Sequence, residues 1–244
     1  MIDLVHGVWP QIRMCVGTTH LVLTDPPYGG IVDTETFEDT MSCDTLLRDL
    51  QLYSDILLDG GSALIWGGVG KPGDGRPFLS FLSSAEDAVP TMKLRNLLTW
   101  RKRRAYGKSN DYLFIREECA WFVKGDKPCT FHIPLTNNKR GYAGFDPKHP
   151  AKSEFLRVGN VIDDINEIFR GKRHPCEKPI ALIQRMVETH SNPGDMVFDP
   201  YAGSGTTGEA CHHAGRNCVL IEQNESTYQI ARARIDRLSQ GVLL

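Results

Sequence analysis

Long apolar runs are missing from this chain. Nothing in it approaches the roughly 20 consecutive apolar residues of a membrane-spanning helix. The opening MIDLVHGVWP lacks a charged start followed by an apolar stretch, so no signal peptide is expected and the cytoplasm is the expected location. A strong net charge is missing too: 28 Lys and Arg stand against 30 Asp and Glu. A nucleic-acid binder with this balance must gather its positive charge locally. No CxxC pair occurs among the 7 cysteines, whose odd number and scatter suit free, packed thiols in a reducing compartment. Cys211, His212, His213 and Cys218 match no zinc-ligand spacing, so no metal is expected. Internal repeats and low-complexity segments are also lacking.

What is present suits a globular enzyme. At 244 residues the chain fits one domain, or one domain with a modest insertion. Short apolar runs read as buried strands at Leu21–Leu23, Ser62–Trp66, Ala120–Val123, Met196–Phe198 and Cys218–Ile221. Helical periodicity marks 44–58 and 180–190, the second opened by Pro179 as a favoured first helical residue. Strands alternating with helices predict an α/β fold with a largely parallel sheet. Residues 125–172 are rich in turn formers and poor in periodicity. They read as a loop-rich insertion in a core made of 1–124 and 173–244.

Two strand ends carry chemistry. Asp25-Pro26-Pro27-Tyr28 follows the first strand, at the sheet edge where α/β proteins bind ligands. The prolines lack N–H groups and stiffen the segment. It therefore offers acceptors, the Asp25 carboxylate and the Pro26 carbonyl, that complement an amino group with two N–H donors. Tyr28 adds a flat face for a base. An ordinary proline turn would need none of this.

The second strand end is Asp199-Pro200-Tyr201-Ala202-Gly203-Ser204-Gly205-Thr206-Thr207-Gly208, a glycine-rich turn entering a helix at Glu209–Ala214. The next strand closes on Glu222, 17 residues after Gly205, about where an acid takes the hydroxyls of an adenosine ribose. A dinucleotide is the rival reading. Asp199 argues against it, because its charge would oppose a pyrophosphate yet suits a ligand bearing an ammonium and a sulfonium.

DPPY at 25–28, HPCEKP at 174–179, SNPGDMVFDPYAGSGTT at 191–207 and GRNCVLIEQNESTY at 215–228 together resemble the amino-methyltransferases of DNA. The match is to the permuted group in which DPPY precedes the cofactor motif, and it covers nearly the whole chain. The resemblance implies a seven-stranded Rossmann-like sheet with one antiparallel strand, helices on both faces, and 125–172 as a small target-recognition insertion. It implies S-adenosylmethionine as cofactor, held by Asp199, Pro200, Tyr201, Gly203, Ser204, Gly205, Thr206 and Glu222, with His174 and Lys178 closing the methionine side. Asp25, Pro26, Pro27 and Tyr28 would hold the target base. Two departures stand out: the family usually has Phe at the place of Tyr201, and Val8 stands where an Asp is common.

The implied reaction is direct methyl transfer to the exocyclic nitrogen of adenine flipped out of double-stranded DNA. Cytosine N4 is the alternative, because Ser often replaces the Asp of DPPY there. RNA and protein methylation fit less well, since Asn usually stands at that place. A non-catalytic DNA-binding module of the same fold is the alternative from another class. Lys93 to Lys108 contains seven cations and no acid; with Lys172 and Arg173 it supplies the expected phosphate contacts at Arg101, Lys102, Arg103, Arg104 and Lys108. A solvated basic loop is the plainer account of that stretch. The resemblance leaves room for a homodimer and for a cognate restriction endonuclease, and the residues decide neither.

Overall fold

The computed structural model describes residues 1–11, 18–27, 41–68, 77–106, 109–110, 112–139, 153–166 and 177–240. Tyr28, Lys108, Lys172, Arg173 and His174, all singled out above, lie outside the described residues.

The chain runs β1 (Ile2–His6), β2 (Thr19–Thr24), α1 (Cys43–Ile56), β3 (Leu57–Gly67), α2 (Pro77–Ala88), β4 (Met92–Tyr106), β5 (Phe114–Lys124), β6 (Leu135–Lys139), β7 (Phe155–Arg157), β8 (Val161–Ile162), α3 (Ile180–His190), β9 (Met196–Asp199), α4 (Thr206–Ala214), β10 (Asn217–Glu222) and α5 (Glu225–Ser239). The main sheet is ordered β1-β10-β9-β2-β3-β5-β4-β8. Only β5 runs against its neighbours. The seven expected strands are there, and a two-residue eighth, β8, joins them from within 125–172 by pairing with β4.

Alternation along the strands sorts side chains onto two buried faces, as both-face burial of a parallel sheet requires. Leu21, Leu23, Leu64 and Trp66 face the layer containing α3, α4 and Ile235 of α5. Val22, Ala63 and Ile65 face α1 and α2. Among the described residues no helix is long and apolar enough to cross a membrane, and no group of three or more metal-ligating side chains occurs.

Element ends differ from the sequence expectations for local reasons. The 44–58 helix stops at Ile56, and β3 begins at once with Leu57 in extended conformation. The helix opens on Ser42, whose Oγ accepts from the Thr45 N–H, a cap that contributes about 1 kcal/mol. Pro179 caps α3 rather than starting it: its backbone is extended, and its carbonyl accepts from Leu182. The glycine-turn helix begins at Thr206, three residues before Glu209, because Gly205 takes the left-handed conformation there.

The basic stretch is not a loop. Through Tyr106 it is β4, a long strand paired with β5. A register shift between Arg101 and Tyr106 places a bulge among the cations.

Candidate active site

The sheet connects outward in both directions from β2 and β9, which pair with each other. From β2 the chain passes through α1 to β3; from β9 it passes through α4 to β10. This is a topological switch point, where the crevice between diverging crossovers accepts ligands. Each strand places an acid there: Asp25 directly follows β2, and Asp199 ends β9. One cavity is lined by Asp25 and by the turn residues Asp199, Tyr201, Gly203, Ser204 and Thr206, with Trp66 and Lys178 at its wall.

Asp25 sits half-buried beside buried Pro26. Its Oδ2 accepts from the Lys178 ammonium. Its Oδ1 is buried without a hydrogen-bond partner among the described residues. Burial pushes the Asp25 carboxyl up, Lys178 pulls it down, Glu117 pushes it up again, and it stays above its ordinary value.

Lys178 is 5% exposed and stands between Asp25 and Glu117, with Nζ 3.2 Å from Glu117 Oε2 and 4.7 Å from the centre of the Trp66 ring. Glu117 Oε1 in turn accepts from Lys102. Burial alone would raise Glu117; the two lysines outweigh it and hold the carboxyl low.

Asp199 is 3% exposed and has a different set of partners. Its Oδ1 accepts from the Tyr201 N–H at 3.1 Å and its Oδ2 from the Thr207 hydroxyl at 2.6 Å. No cation pairs with it among the described residues. Burial pushes it up to about 7, against those hydrogen bonds. After it the chain turns through Gly203 and Gly205, both left-handed, and a Cβ at Gly205 would meet Ala231 of α5 at 3.1 Å. Glu222, at the end of β10, accepts from Gly203 N–H at 2.9 Å and Asn224 N–H at 2.7 Å. It thereby ties the turn to the neighbouring strand.

A buried arginine supports the turn from behind. Arg234 of α5 is 2% exposed; it donates to Thr206 Oγ1 at 2.7 Å and to Glu177, and its Nε lies 2.9 Å from Glu209. It links the turn to the residue just before Lys178.

Two residues flagged in the sequence acquire unexpected neighbours. The Tyr201 hydroxyl donates to Asp49 Oδ2 at 2.7 Å, and Arg48 holds the other oxygen of that buried carboxylate at 2.9 Å. A Phe would leave Asp49 without that donor. Val8 is 42% exposed, and Gly7 before it donates to the Glu222 carbonyl, which puts this end of β1 beside the end of β10.

Of the expected DNA contacts, Arg101, Arg103 and Arg104 are exposed on β4, while Lys102 is turned inward to Glu117. Trp66, Glu117, Glu177 and Arg234 were not among the candidates. The available signals were Glu117-Glu118 just before the apolar run of β5, and the place of Glu177 inside the HPCEKP segment.

Comparisons with known proteins identify the family and the fold. The family model described as DNA methylase matches residues 19–233. The chain is 26% identical over 226 residues to the Type II methyltransferase M.HpaI of Haemophilus parainfluenzae, covering 91% of this chain and 69% of that one. It is 27% identical over 232 residues to the DNA adenine methyltransferase YhdJ of Escherichia coli (strain K12), covering 88% and 76%. Among solved structures, the M1.HpyAVI-SAM complex superposes with a TM-score of 0.65 at 22% identity, covering 96% of this chain and 100% of that one. The PvuII DNA methyltransferase, cytosine-N4-specific, superposes with a TM-score of 0.73 at 17% identity, covering 99% and 93%. With a family model spanning most of its length, the chain belongs to the DNA methylase family.

Proposed function

We propose that this DNA methyltransferase methylates the N6 amino group of adenine, using S-adenosylmethionine. The observation that carries the reading is Asp25 Oδ1, a buried acceptor without a partner among the described residues, in the same cavity as the glycine turn. An unpaired buried acceptor costs about 1–3 kcal/mol, and an incoming N–H would relieve that cost. Asp rather than Ser at this place favours adenine, and the DNA adenine methyltransferase YhdJ is among the relatives.

The residues fit the cofactor. Asp199 lies buried with only neutral donors around it, an environment that suits a cationic ligand. In this reading Asp199, Pro200, Tyr201, Gly203, Ser204, Gly205 and Thr206 form the cofactor's seat, and Glu222 takes its ribose. Bound S-adenosylmethionine supplies an electrophilic methyl group on a sulfonium.

Asp25 and the Pro26 carbonyl accept the two N–H bonds of the target amine. Held this way, the nitrogen lone pair is drawn out of conjugation and aimed along the line of transfer, an effect of orientation and electrostatics that supplies several kcal/mol. The sulfonium would supply the methyl group to this nitrogen and leave as the thioether, and Asp25 or water would take the proton the methylated nitrogen gives up. Asp25 acts as acceptor and orienter first, because the amine becomes acidic only after methylation.

Residues 125–172 are proposed as the target-recognition insertion, and Arg101, Arg103 and Arg104 as phosphate contacts. Two described features support the placement: β8 extends the sheet beside β4, and the Trp100 indole donates to Ile165 O at 2.8 Å. That links the insertion to the basic strand.

Transfer of labelled methyl from S-adenosylmethionine to unmethylated DNA, followed by nucleoside mass spectrometry, tests the proposal. N6-methyladenine is expected. N4-methylcytosine would overturn the base assignment and keep the mechanism. Cofactor binding with no methylated nucleoside from any DNA would favour the binding-module reading.

A further inference from the structure

We infer that Glu117 is a positioning residue for methyl transfer: with Lys102 behind it, it draws the Lys178 ammonium onto one oxygen of Asp25 and leaves the other open for the target amine. The inference rests on the methyl-transfer reading above and extends it to side chains outside the motifs.

The geometry is a row of alternating charge across three strands and the entry to α3. Asp25 follows β2, Lys178 precedes α3, Glu117 is on β5 and Lys102 is on β4. Lys178 has three N–H bonds and no room to wander: it is 5% exposed, against Asp25 Oδ2, 3.2 Å from Glu117 Oε2 and over the Trp66 ring. Glu117 uses its second oxygen on Lys102, which lies 5.4 Å from the centre of the Trp100 ring. An ammonium with a single carboxylate neighbour tends to share its protons between both oxygens. Divided between two carboxylates, it takes one oxygen of each. That division leaves Asp25 Oδ1 open.

Among the described residues, the titratable groups around Asp25 are Lys178, Glu117, Lys102, Cys119 of β5 and Asp199 of β9. Glu117 raises the Asp25 carboxyl and Lys102 lowers it. Transfer needs Asp25 ionised, so removing the Glu117 charge moves the acidic limb of turnover to lower pH. Removing the Lys102 charge moves it to higher pH. Opposite displacements from two touching residues are not what a packing role produces.

The experiment compares Glu117→Gln and Lys102→Met with the wild type in single-turnover methyl transfer at saturating DNA and cofactor. In parallel, the Asp25 carboxyl is titrated by carbon NMR on aspartate-labelled protein, assigned with Asp25→Asn. Glu117→Gln is expected to lower the rate about 10- to 100-fold through misplaced acceptors while cofactor affinity holds within about threefold. The Asp25 titration should move down in Glu117→Gln and up in Lys102→Met. An unchanged rate, or cofactor affinity and thermal stability falling together with an unmoved Asp25 titration, overturns the inference. If Glu117→Gln does not fold, the direction found in Lys102→Met decides. A wild type that methylates no DNA would sink the functional reading instead, and the Asp25 titration would still judge the array.

Discussion

Strands β2 and β9 lie side by side and end alike, in Asp25-Pro26 and Asp199-Pro200, yet the two acids are held in opposite ways. Asp25 is half-buried against a lysine that is itself shared with Glu117. Asp199 is buried against a hydroxyl and a backbone N–H, and is pushed up to about 7. Burial raises both carboxyls; the two matching dipeptides differ in that one acid is tied to a lysine and the other has only neutral donors and reaches about 7. The difference lies wholly in what other elements bring: Lys178 from the entry to α3 and Glu117 from β5 on one side, Thr207 from α4 on the other.

The most severe break in this comparison is expected at Asp25. Asp25→Ala should abolish methyl transfer while leaving cofactor affinity within about tenfold, since the group acts on the target and not on the cofactor seat. Equal loss of both, measured by transfer rate and by titration calorimetry, would mean that Asp25 supports the turn instead.

Asp199 sharpens the contrast through pH. A cationic ligand favours its ionised form, so cofactor affinity should rise by about tenfold from pH 6 to pH 8 as the carboxyl ionises. The stability term runs the other way. Because the folded value lies above the ordinary aspartate value of about 3.8, the free protein loses stability as pH rises from about 4 to about 7. Asp199→Asn should flatten both profiles, read by calorimetry and by thermal melts; a slope that persists would assign it to another group.

A smaller effect is expected at Tyr201. Tyr201→Phe restores the side chain usual in the family but deprives buried Asp49 of a donor, and should cost about 1–3 kcal/mol of stability. Cofactor affinity should change little. A stable variant would show that Arg48 alone satisfies Asp49.

The smallest is electrostatic and lies away from both acids. Arg101→Ala should reduce the salt slope of DNA binding by about 0.9, the loss of one phosphate contact. Lys102→Met should leave that slope alone, because Lys102 is turned in to Glu117. Equal slopes for the two variants would erase the distinction between them.

Much of the frame was legible from local signals. Five apolar runs marked five strands of the sheet, and helical periodicity placed α1 and α3 within a residue or two, because burial on both faces leaves no polar interruptions. Less of the periphery was legible. The apolar residues of β4 are diluted by its six cations, and its strand character comes from pairing with β5, a partner too distant for a local pattern to reveal. The helix α5 carries buried Arg234 on the face that packs inward, which blurs its apolar stripe.

For the site, the sequence by itself determined the acids, the glycines and the order of the motifs. Strand ends and tight turns write themselves locally, in prolines that fix φ and glycines that reach positive φ. Only the tertiary structure decided which charges meet. Lys178 follows Asp25 by 153 residues, yet their side chains touch. Lys102, one of a run of cations, turns inward while exposed Arg101, Arg103 and Arg104 stand beside it on the same strand. The physical reason is reach: an ion pair holds across a few ångströms of space and is blind to the chain between its partners, so charge pairing is settled by the sheet order that brings β2, β4, β5 and the entry to α3 together.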